Sequence, residues 1–538
     1  MSGEKFSRKN DAYQPELEID WGIPEEVVDN RSNAEKEADE LDKAVVDIWN
    51  IAQEYHLDPY PTNFEVVGPE VINQIAGYGV PGRFGHWSFG REYAKMKTQH
   101  ERGFSKIYEL VVNGNPSEAY LLENNPVIEN KLVIAHVLGH TDFFKNNFRF
   151  DNTREDMLQV VEENAARMRK YEEIYGMEEV EKFIDHVISL DDHVDPYQPD
   201  RPFGKEEMKK WEMDARQALE DSQKPVDRGE FEDIFQDKKE KGKKQTFRRA
   251  DMQVPPQPDS DILGYVRNHA EYLEDWQRDV IDIIRSEAIY FFPQRRTKIM
   301  NEGWAAYWHK RIMTELCERD LITPADSEKW RKLHSGIVSE SSRQLNPYHL
   351  GMKMFEYLEE YFNGQLSEEE TRWLESQGEP VYPRYDGPLQ DSPASEKLRE
   401  IMATNDDQSI IRNYFDKNIA DRLHMYIYEE VEFGGEMYRK IKPGGWSEIR
   451  DKLVSMLSNS GIPNIEIVDG NYDKSNQLYL KHNFDGRALD YNYTSKVMPH
   501  LFELWQRNVY LETAKEDNGE LKKIVYTYNG KNMSVKNY

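Results

Sequence analysis

Residues 132–144, LVIAHVLGHTDFF, place two histidines four positions apart in an otherwise apolar run. A second apolar segment, NEGWAAYWHKRIM (301–313), places a glutamate and a histidine seven positions apart. Spacings of four and seven correspond to one and two turns of an α-helix, so each segment presents its polar pair on one face. We therefore predict two buried helices that bring four side chains to one metal ion: His136, His140, Glu302 and His309.

Composition and charge exclude several classes of protein. The chain has 538 residues, 38% hydrophobic and 12% aromatic, which suffices for two or three domains with apolar cores. A formal net charge of −30 at pH 7 disfavours binding to nucleic acid. No run of about 18 apolar residues occurs and the first residues lack an apolar core, so neither a membrane span nor secretion is expected. The single cysteine cannot form an internal disulfide, which agrees with a cytoplasmic location.

Sequence patterns divide the chain into three parts. Residues 1–33 are predicted to be an N-terminal tail, and residues 34–385 a helical domain. Within that domain, residues 200–258 are dense in both charges and poor in apolar side chains, which indicates a partly disordered insertion. Beyond a turn-rich stretch, period-two patterns predict a small α+β domain at 386–538. The predicted fold class is a mainly α large domain with a buried His/Glu cleft, followed by a small α+β C-terminal domain.

Local patterns also predict individual elements. Helical periodicity predicts helices at 34–56 and 261–291, and Pro293 separates the second from a new helix that carries Glu302. The segment GYGVPGRFGHWSFGREY (77–93) is rich in glycine and aromatic residues, so we predict an ordered loop that lines the cleft. Alternating patterns predict four strands near the C-terminus: IEIVDG (465–470), NQLYLKHNF (476–484), RALDYNY (487–493) and KKIVYTYNG (522–530).

Five motifs occur in a fixed order, which are HWSFG (86–90), HVLGHTDFFKNN (136–147), FFPQRRTKIMNEGWAAYWH (291–309), LHSG (333–336) and NPYHLG (346–351). Together they resemble the SpoVR family, the stage V sporulation protein R-like proteins. The resemblance extends from about residue 35 to about residue 510. It implies a role in maturation of the spore cortex or cell wall. It also implies two partners, a PrkA-type serine kinase and a von Willebrand A-type protein, whose genes tend to lie beside those of the family.

The resemblance does not define a reaction, so the chemistry depends on the residues themselves. In HExxH zinc peptidases the two histidines bind the metal and the glutamate between them is the general base. Here Val137 occupies that position, so the ligand spacing is present without the base. Glu302 is predicted to be a third ligand, and His309 a fourth ligand or a hydrogen-bond donor to a carboxylate. Glu302 and Asp142 are the candidate catalytic residues, and Glu123 or a substrate group is an alternative base. Zinc is the preferred ion, and manganese and iron are alternatives.

An alternative interpretation needs no metal. The two histidines of the first motif are then buried and hydrogen-bonded to other protein groups. A buried polar group without a partner costs about 1–3 kcal/mol, so the apolar flanks demand a partner in either case. The polar pair of the second motif is available for that purpose.

Six other residues are candidates for substrate binding. An arginine pair precedes the second motif and suits a carboxylate or phosphate, although such pairs also begin exposed helices. A Lys-Asn pair follows the first motif and either orients a ligand or ends the helix. A His-Trp pair in the glycine-rich segment either lines the cleft or packs in the core. The six are Arg295, Arg296, Lys145, Asn146, His86 and Trp87.

Two functions follow from these observations. In the first, the protein is a metal-dependent hydrolase that acts on a cell-wall precursor, a regulatory peptide or a wall-recycling fragment. In the second, it is a non-catalytic regulatory protein that acts with the serine kinase and the von Willebrand A-type partner. The absence of a glutamate at position 137 favours the second function.

Overall fold

The computed structural model divides the chain into two compact units, each built from two stretches of sequence. The predicted tail (1–33) and the predicted charged insertion (200–258) lie almost entirely outside the described residues. The residues that the structure describes are 5–6, 32–101, 110–197, 213, 254–255, 257–340, 345–433, 436–517 and 519–538. The helical unit comprises Met1–Lys170 and Tyr290–Gly461, and the sheet unit comprises Tyr171–Ile289 and Ile462–Tyr538.

A mainly helical body followed by a C-terminal sheet confirms the predicted fold class. The predicted boundary between residues 385 and 386 falls inside the helical unit. The helices in chain order are α1 (Asn33–Glu54), α2 (Pro69–Tyr78), α3 (Trp87–Glu101), α4 (Val127–Asn146), α5 (Met157–Tyr175), α6 (Met177–Ile188), α7 (Ile262–His269), α8 (Asp275–Arg296), α9 (Lys298–Glu318), α10 (Pro324–Ile337), α11 (Pro347–Phe362), α12 (Glu368–Gln377), α13 (Pro393–Thr404), α14 (Asp407–Tyr414), α15 (Lys417–Arg422), α16 (Gly445–Leu457) and α17 (Tyr491–Trp505).

The described strands form three sheets. The first has the order β1-β2-β4-β3, the second is the hairpin β5-β6, and the third has the order β11-β10-β9-β8-β7. Only the pairs β2–β4 and β8–β9 are parallel. The strands are β1 (Lys5–Phe6), β2 (Thr62–Val67), β3 (Leu110–Val112), β4 (Ser117–Leu122), β5 (Tyr428–Phe433), β6 (Glu436–Ile441), β7 (Ile465–Tyr472), β8 (Gln477–His482), β9 (Val509–Asp517), β10 (Glu520–Tyr528) and β11 (Met533–Asn537).

Helices α4 and α9 form the centre of the helical unit. Helix α4 carries apolar residues on all of its faces, and every residue from Asn130 to Phe144 is buried. A helix that is apolar all round belongs in the interior of a large core. Helix α9 is also largely buried, and α1, α10 and α11 pack around this pair. The two motifs found in the sequence therefore lie in the interior of the unit.

The start of α9 differs from the prediction. Helix α8 continues through Pro293 as far as Arg296, and the break occurs at Thr297, whose φ of −126° and ψ of 17° are not helical. The Thr297 hydroxyl donates to the Pro293 carbonyl, one of the groups that a helix end leaves without an internal partner. The prediction that Glu302 lies on a separate helix is confirmed, but the helix begins after Thr297.

The predicted loop at 77–93 is shorter in the structure. Helix α2 continues to Tyr78 and α3 begins at Trp87, so only residues 79–86 are non-helical. His86 precedes α3, and its carbonyl accepts hydrogen bonds from the backbone N–H groups of Phe89 and Gly90. A helix therefore begins inside a segment whose glycines and aromatic residues had predicted an irregular chain.

The sheet unit confirms three of the four predicted C-terminal strands, which are β7, β8 and β10. The strand predicted at 487–493 is wrong, because α17 begins at Tyr491. The Asp490 side chain accepts from the backbone N–H groups of Asn492 and Tyr493, which caps this helix. Helix α17 packs against the sheet through β9 and β10. In the described part of the chain, no helix has the length and apolar character needed to cross a lipid bilayer.

Candidate metal centre

His136 and His140 of α4 and Glu302 of α9 form one compact polar group inside the helical unit. Nε2 of His136 lies 3.6 Å from Glu302 Oε2, and Nε2 of His140 lies 3.5 Å from the same oxygen. One candidate ligand atom from each side chain lies within 4.8 Å of the other two. Both imidazoles are buried and the carboxylate is 17% exposed. The convergence predicted from the two helical motifs is present in the structure.

The separations between these atoms fit a metal ion. Nitrogen and oxygen ligands bind zinc at about 2.0–2.2 Å, and two such ligands on a tetrahedron lie about 3.4 Å apart. The observed 3.5 and 3.6 Å are close to that value and longer than a good hydrogen bond. Oε2 of Glu302 is buried and makes no hydrogen bond to any described residue. Two nitrogens and a carboxylate are also a donor set that zinc, manganese and iron accept.

The other nitrogen of each imidazole is held by a hydrogen bond. Nδ1 of His140 lies 2.9 Å from Asn301 Oδ1, and Nδ1 of His136 lies 2.8 Å from His309 Nδ1. An amide oxygen only accepts, so His140 carries its proton on Nδ1 and keeps a lone pair on Nε2. Metal-binding histidines are usually oriented by such a bond at the second nitrogen. Asn301 was missed in the sequence, although it directly precedes Glu302.

The electrostatics favour an ionised Glu302 carboxylate, with His309 and His334 neutral behind it. Burial opposes ionisation of Glu302, but the two imidazoles outweigh it and hold the pKa of this carboxyl well below its ordinary value. Burial, reinforced by neighbouring imidazoles, lowers the pKa of His309 well below 6.5. Burial and Lys310 together lower the pKa of His334 to about 4. The Glu302 carboxylate therefore carries a negative charge, which protonated imidazoles or a bound cation would balance.

His309 lies behind His136 and is not one of the three group members. Its Nδ1 faces His136, and its Nε2 lies 2.7 Å from Nδ1 of His334 on α10. His309 is 1% exposed, so both ring nitrogens are fully committed to these two contacts. His334 was not selected in the sequence analysis, although it belongs to the LHSG motif (333–336). The structure shows that this motif contributes a histidine to the surroundings of the centre.

Glycines allow the helices of the centre to approach closely. A Cβ atom on Gly139 would lie 2.6 Å from Cα of Ala305, so the backbones of α4 and α9 are in contact. On α4 this contact lies between the two histidines, and on α9 it lies just after Glu302. A Cβ on Gly303 would lie 2.4 Å from Cα of Gly351, which brings α11 equally close to α9. Real Cβ atoms do not tolerate such distances. The small residues in HVLGH and NEGWAA therefore determine how near the ligands come to one another.

A buried carboxylate from another helix caps the beginning of α9. The Asp407 carboxyl oxygens accept from the backbone N–H groups of Ile299 at 2.9 Å and Met300 at 2.8 Å. The residue before the helix, Thr297, provides no side-chain cap, so Asp407 takes this role from 107 and 108 positions away. Burial raises the pKa of Asp407 to about 7. Glu302 lies one turn further along, so this cap fixes the position of the carboxylate ligand.

Asp142 does not belong to the group. Its Oδ2 accepts from Trp304 Nε1 at 2.8 Å, and its Oδ1 accepts from the Asp58 backbone N–H at 2.7 Å. Burial raises its pKa. Lys145 forms an ion pair of 2.6 Å with Asp58, and Asn146 donates to the backbone carbonyls of Asp58 and Asp142. These residues fasten the C-terminal end of α4 to the segment that follows α1.

The remaining candidates have contacts of their own. Arg296 lies 4.9 Å from the ring centre of Phe292 and donates to the Asn459 side chain, and Arg295 is half-buried at the end of α8. Nδ1 of His86 lies 2.7 Å from Ser88 Oγ, and His86 is buried. Trp87 is 51% exposed at the start of α3.

Comparisons with known proteins agree with the family resemblance of the five motifs. Residues 35–462 match the family described as SpoVR like protein, and residues 463–516 match the SpoVR-like C-terminal domain. A relative from Escherichia coli (strain K12), described as "Uncharacterized protein YcgB", is 30% identical over 507 residues, which cover 89% of this chain and 92% of that protein. No solved structure matches the chain. The resemblance found in the five motifs is thereby confirmed, and the chain belongs to the SpoVR family.

Proposed function

We propose that this protein binds one divalent metal ion through His136, His140 and Glu302 and uses it for a hydrolytic reaction in the cytoplasm. The observation that carries the proposal is that Nε2 of His136 and Nε2 of His140 each lie at the spacing of tetrahedral ligands from one Glu302 oxygen. Zinc is the first choice of ion, and manganese and iron are alternatives. The family relationship supports a substrate related to the spore cortex or cell wall, such as a precursor, a regulatory peptide or a wall-recycling fragment.

Each residue has a defined part in this proposal. The two imidazoles hold the ion, Asn301 keeps the His140 proton away from it, and the Glu302 carboxylate supplies the balancing charge. A bound divalent ion supplies Lewis-acid chemistry. Because Val137 replaces the glutamate of HExxH peptidases, Glu302 is the only protein carboxylate in the described group that is positioned to accept a proton. A substrate group would be the other acceptor.

A second candidate function is regulatory. Val137 is a buried aliphatic residue with no basic group. Both carboxyl oxygens of Asp142 are engaged by Trp304 and by the Asp58 backbone, so neither residue is a general base. This observation favours a protein whose buried His/Glu group serves only stability and that acts through a PrkA-type serine kinase and a von Willebrand A-type partner. The two functions share the His/Glu group and differ in whether it turns over a substrate.

Elemental analysis of protein purified without a metal-binding tag tests whether the proposed site holds a metal ion. We expect about one equivalent of a divalent metal in the wild type and its loss in Glu302→Gln, which keeps the shape of the side chain and removes its charge. His482→Gln is the matched control, because Nδ1 of this buried histidine of the sheet unit lies 2.8 Å from Thr513 Oγ1 and the residue lies outside the group. A metal-free wild type, in buffers that contain zinc, manganese or iron, would contradict the proposal.

Activity separates the two candidate functions. The metal-loaded protein is incubated with soluble cell-wall peptide fragments, and the products are followed by mass spectrometry. The hydrolase is supported if Glu302→Gln shows no cleavage, and if the wild type loses cleavage when its metal is removed and regains it when metal is added. If the metal-loaded protein cleaves none of the cell-wall fragments and Glu302→Gln no longer binds the kinase, the regulatory function is supported instead.

A further inference from the structure

Three imidazoles form a continuous chain that leads away from the metal centre. His136 Nδ1 lies 2.8 Å from His309 Nδ1, and His309 Nε2 lies 2.7 Å from His334 Nδ1. The three rings come from α4, α9 and α10, so the chain exists only when these helices are packed. His309 has 1% of its surface exposed and His334 has 9%, which leaves the second ring closed to water and the third close to it.

Each contact in the chain holds a single hydrogen atom. A neutral imidazole has one N–H and one lone pair, so a nitrogen pair at 2.8 Å requires a donor on one ring and an acceptor on the other. The hydrogen positions in the two bonds are therefore linked. If His136 donates from Nδ1, then His309 must accept there and donate from Nε2, and His334 must accept at Nδ1.

We propose, on the basis of the proposed metal site, that His309 and His334 are positioning residues that keep the His136 proton on Nδ1. In this order the Nε2 lone pair of His136 points toward Glu302 and is available to a cation. In the opposite order, Nε2 of His136 carries the hydrogen and directs it at the Glu302 carboxylate, 3.6 Å away. That order satisfies the carboxylate internally and blocks the metal.

His140 needs no such chain, which provides an internal comparison. Its Nδ1 faces the Asn301 amide oxygen, which accepts and never donates, so its tautomer is fixed by one residue. His136 faces another histidine, which either donates or accepts. The tautomer of His136 is consequently coupled to the tautomers of His309 and His334.

Two substitutions at one position separate the role of acceptor from the role of core packing. His309→Leu fills the space but accepts no hydrogen bond, so we expect Co²⁺ affinity, measured by competition with a chromophoric chelator, to fall about 10- to 100-fold. His309→Gln offers an amide oxygen to His136 Nδ1, so its Co²⁺ affinity should stay close to that of the wild type. His334→Leu should weaken binding in the same direction by a smaller factor.

The melting temperature of each metal-free variant shows whether the fold is intact, and His482→Leu shows what removal of a buried histidine outside the chain does. If His309→Leu does not fold, the comparison of His334→Leu with His334→Gln makes the same test. Equal Co²⁺ affinity in the wild type and a folded leucine variant would overturn the inference and leave the metal site in place. So would equal weakening by leucine and glutamine at the same position. A wild type that binds no Co²⁺, Zn²⁺ or Mn²⁺ would instead overturn the proposed function.

Discussion

Gly139 of α4 packs directly against Ala305 of α9, where an added Cβ atom would lie 2.6 Å from Ala305 Cα and 3.2 Å from its Cβ. The two histidines of α4 flank this contact, and Glu302 lies one turn before it on α9. The distance between the helix backbones therefore sets the distance between the nitrogen and oxygen ligands. A substitution at this contact changes the centre without changing any of its ligands.

Gly139→Ala should lower both stability and metal affinity. The new methyl group meets backbone atoms of Ala305, which cannot rotate away, so the helices must separate. Overpacking of this kind typically costs about 1–3 kcal/mol of unfolding free energy. Gly90→Ala is the control, because it lies in α3 with no heavy atom within 4 Å of its added Cβ. There alanine should be neutral or stabilising by about 0.5–1 kcal/mol. Chemical denaturation and Co²⁺ titration measure the two effects, and unchanged values in Gly139→Ala would contradict the helix contact.

Asp407→Asn should destabilise the start of α9. The amide has one oxygen, so it serves only one of the N–H groups of Ile299 and Met300 and turns a donor toward the other. Loss of a buried partner of this kind costs about 1–3 kcal/mol. Asp421→Asn, which removes only an exposed pair with Lys417, should cost less than about 0.5 kcal/mol. Denaturant midpoints of the two variants provide the comparison, and equal values would show that the cap is unimportant.

Asp142→Asn should affect stability and leave the metal centre intact. Its two carboxyl oxygens accept from Trp304 and from the Asp58 backbone, so an amide at this position places a donor against a donor. We expect a loss of about 1–3 kcal/mol with unchanged Co²⁺ affinity. A folded Asp142→Asn protein that binds metal normally but has lost cleavage of wall peptides would show instead that Asp142 acts in the reaction.

The metal-free protein should lose stability as the pH falls from about 6.5 to about 4. Burial and Lys310 lower the pKa of His334 to about 4 in the folded state, so the unfolded chain binds more protons in this window. A difference of this size corresponds to at most about 3 kcal/mol, and His309 acts in the same direction.

The slope of unfolding free energy against pH measures this effect. It should be smaller in His334→Gln, whatever that substitution does to stability at neutral pH. A His334→Gln slope equal to that of the wild type would mean that His334 is protonated in the folded protein.

The local parts of the fold could be predicted because their signals lie within a few residues. Helical spacing located α1, α4 and α9, and period-two patterns located β7, β8 and β10. The sheet of the helical unit was missed, because β2 and β4 are six residues each and pair across more than 50 positions. Short strands depend on their neighbours more than on their own composition.

Two apolar helices that each present polar side chains on one face could be predicted without a structure, because an α-helix repeats every 3.6 residues whatever surrounds it. The same periodicity predicted the pairing of the histidines with Glu302. The contacts of His309 with His136 and of Asn301 with His140, and the position of Asp142 outside the group, depend on tertiary packing. The first two contacts join residues 173 and 161 positions apart. Contacts at that range depend on how α4 and α9 pack against each other, which no local repeat records.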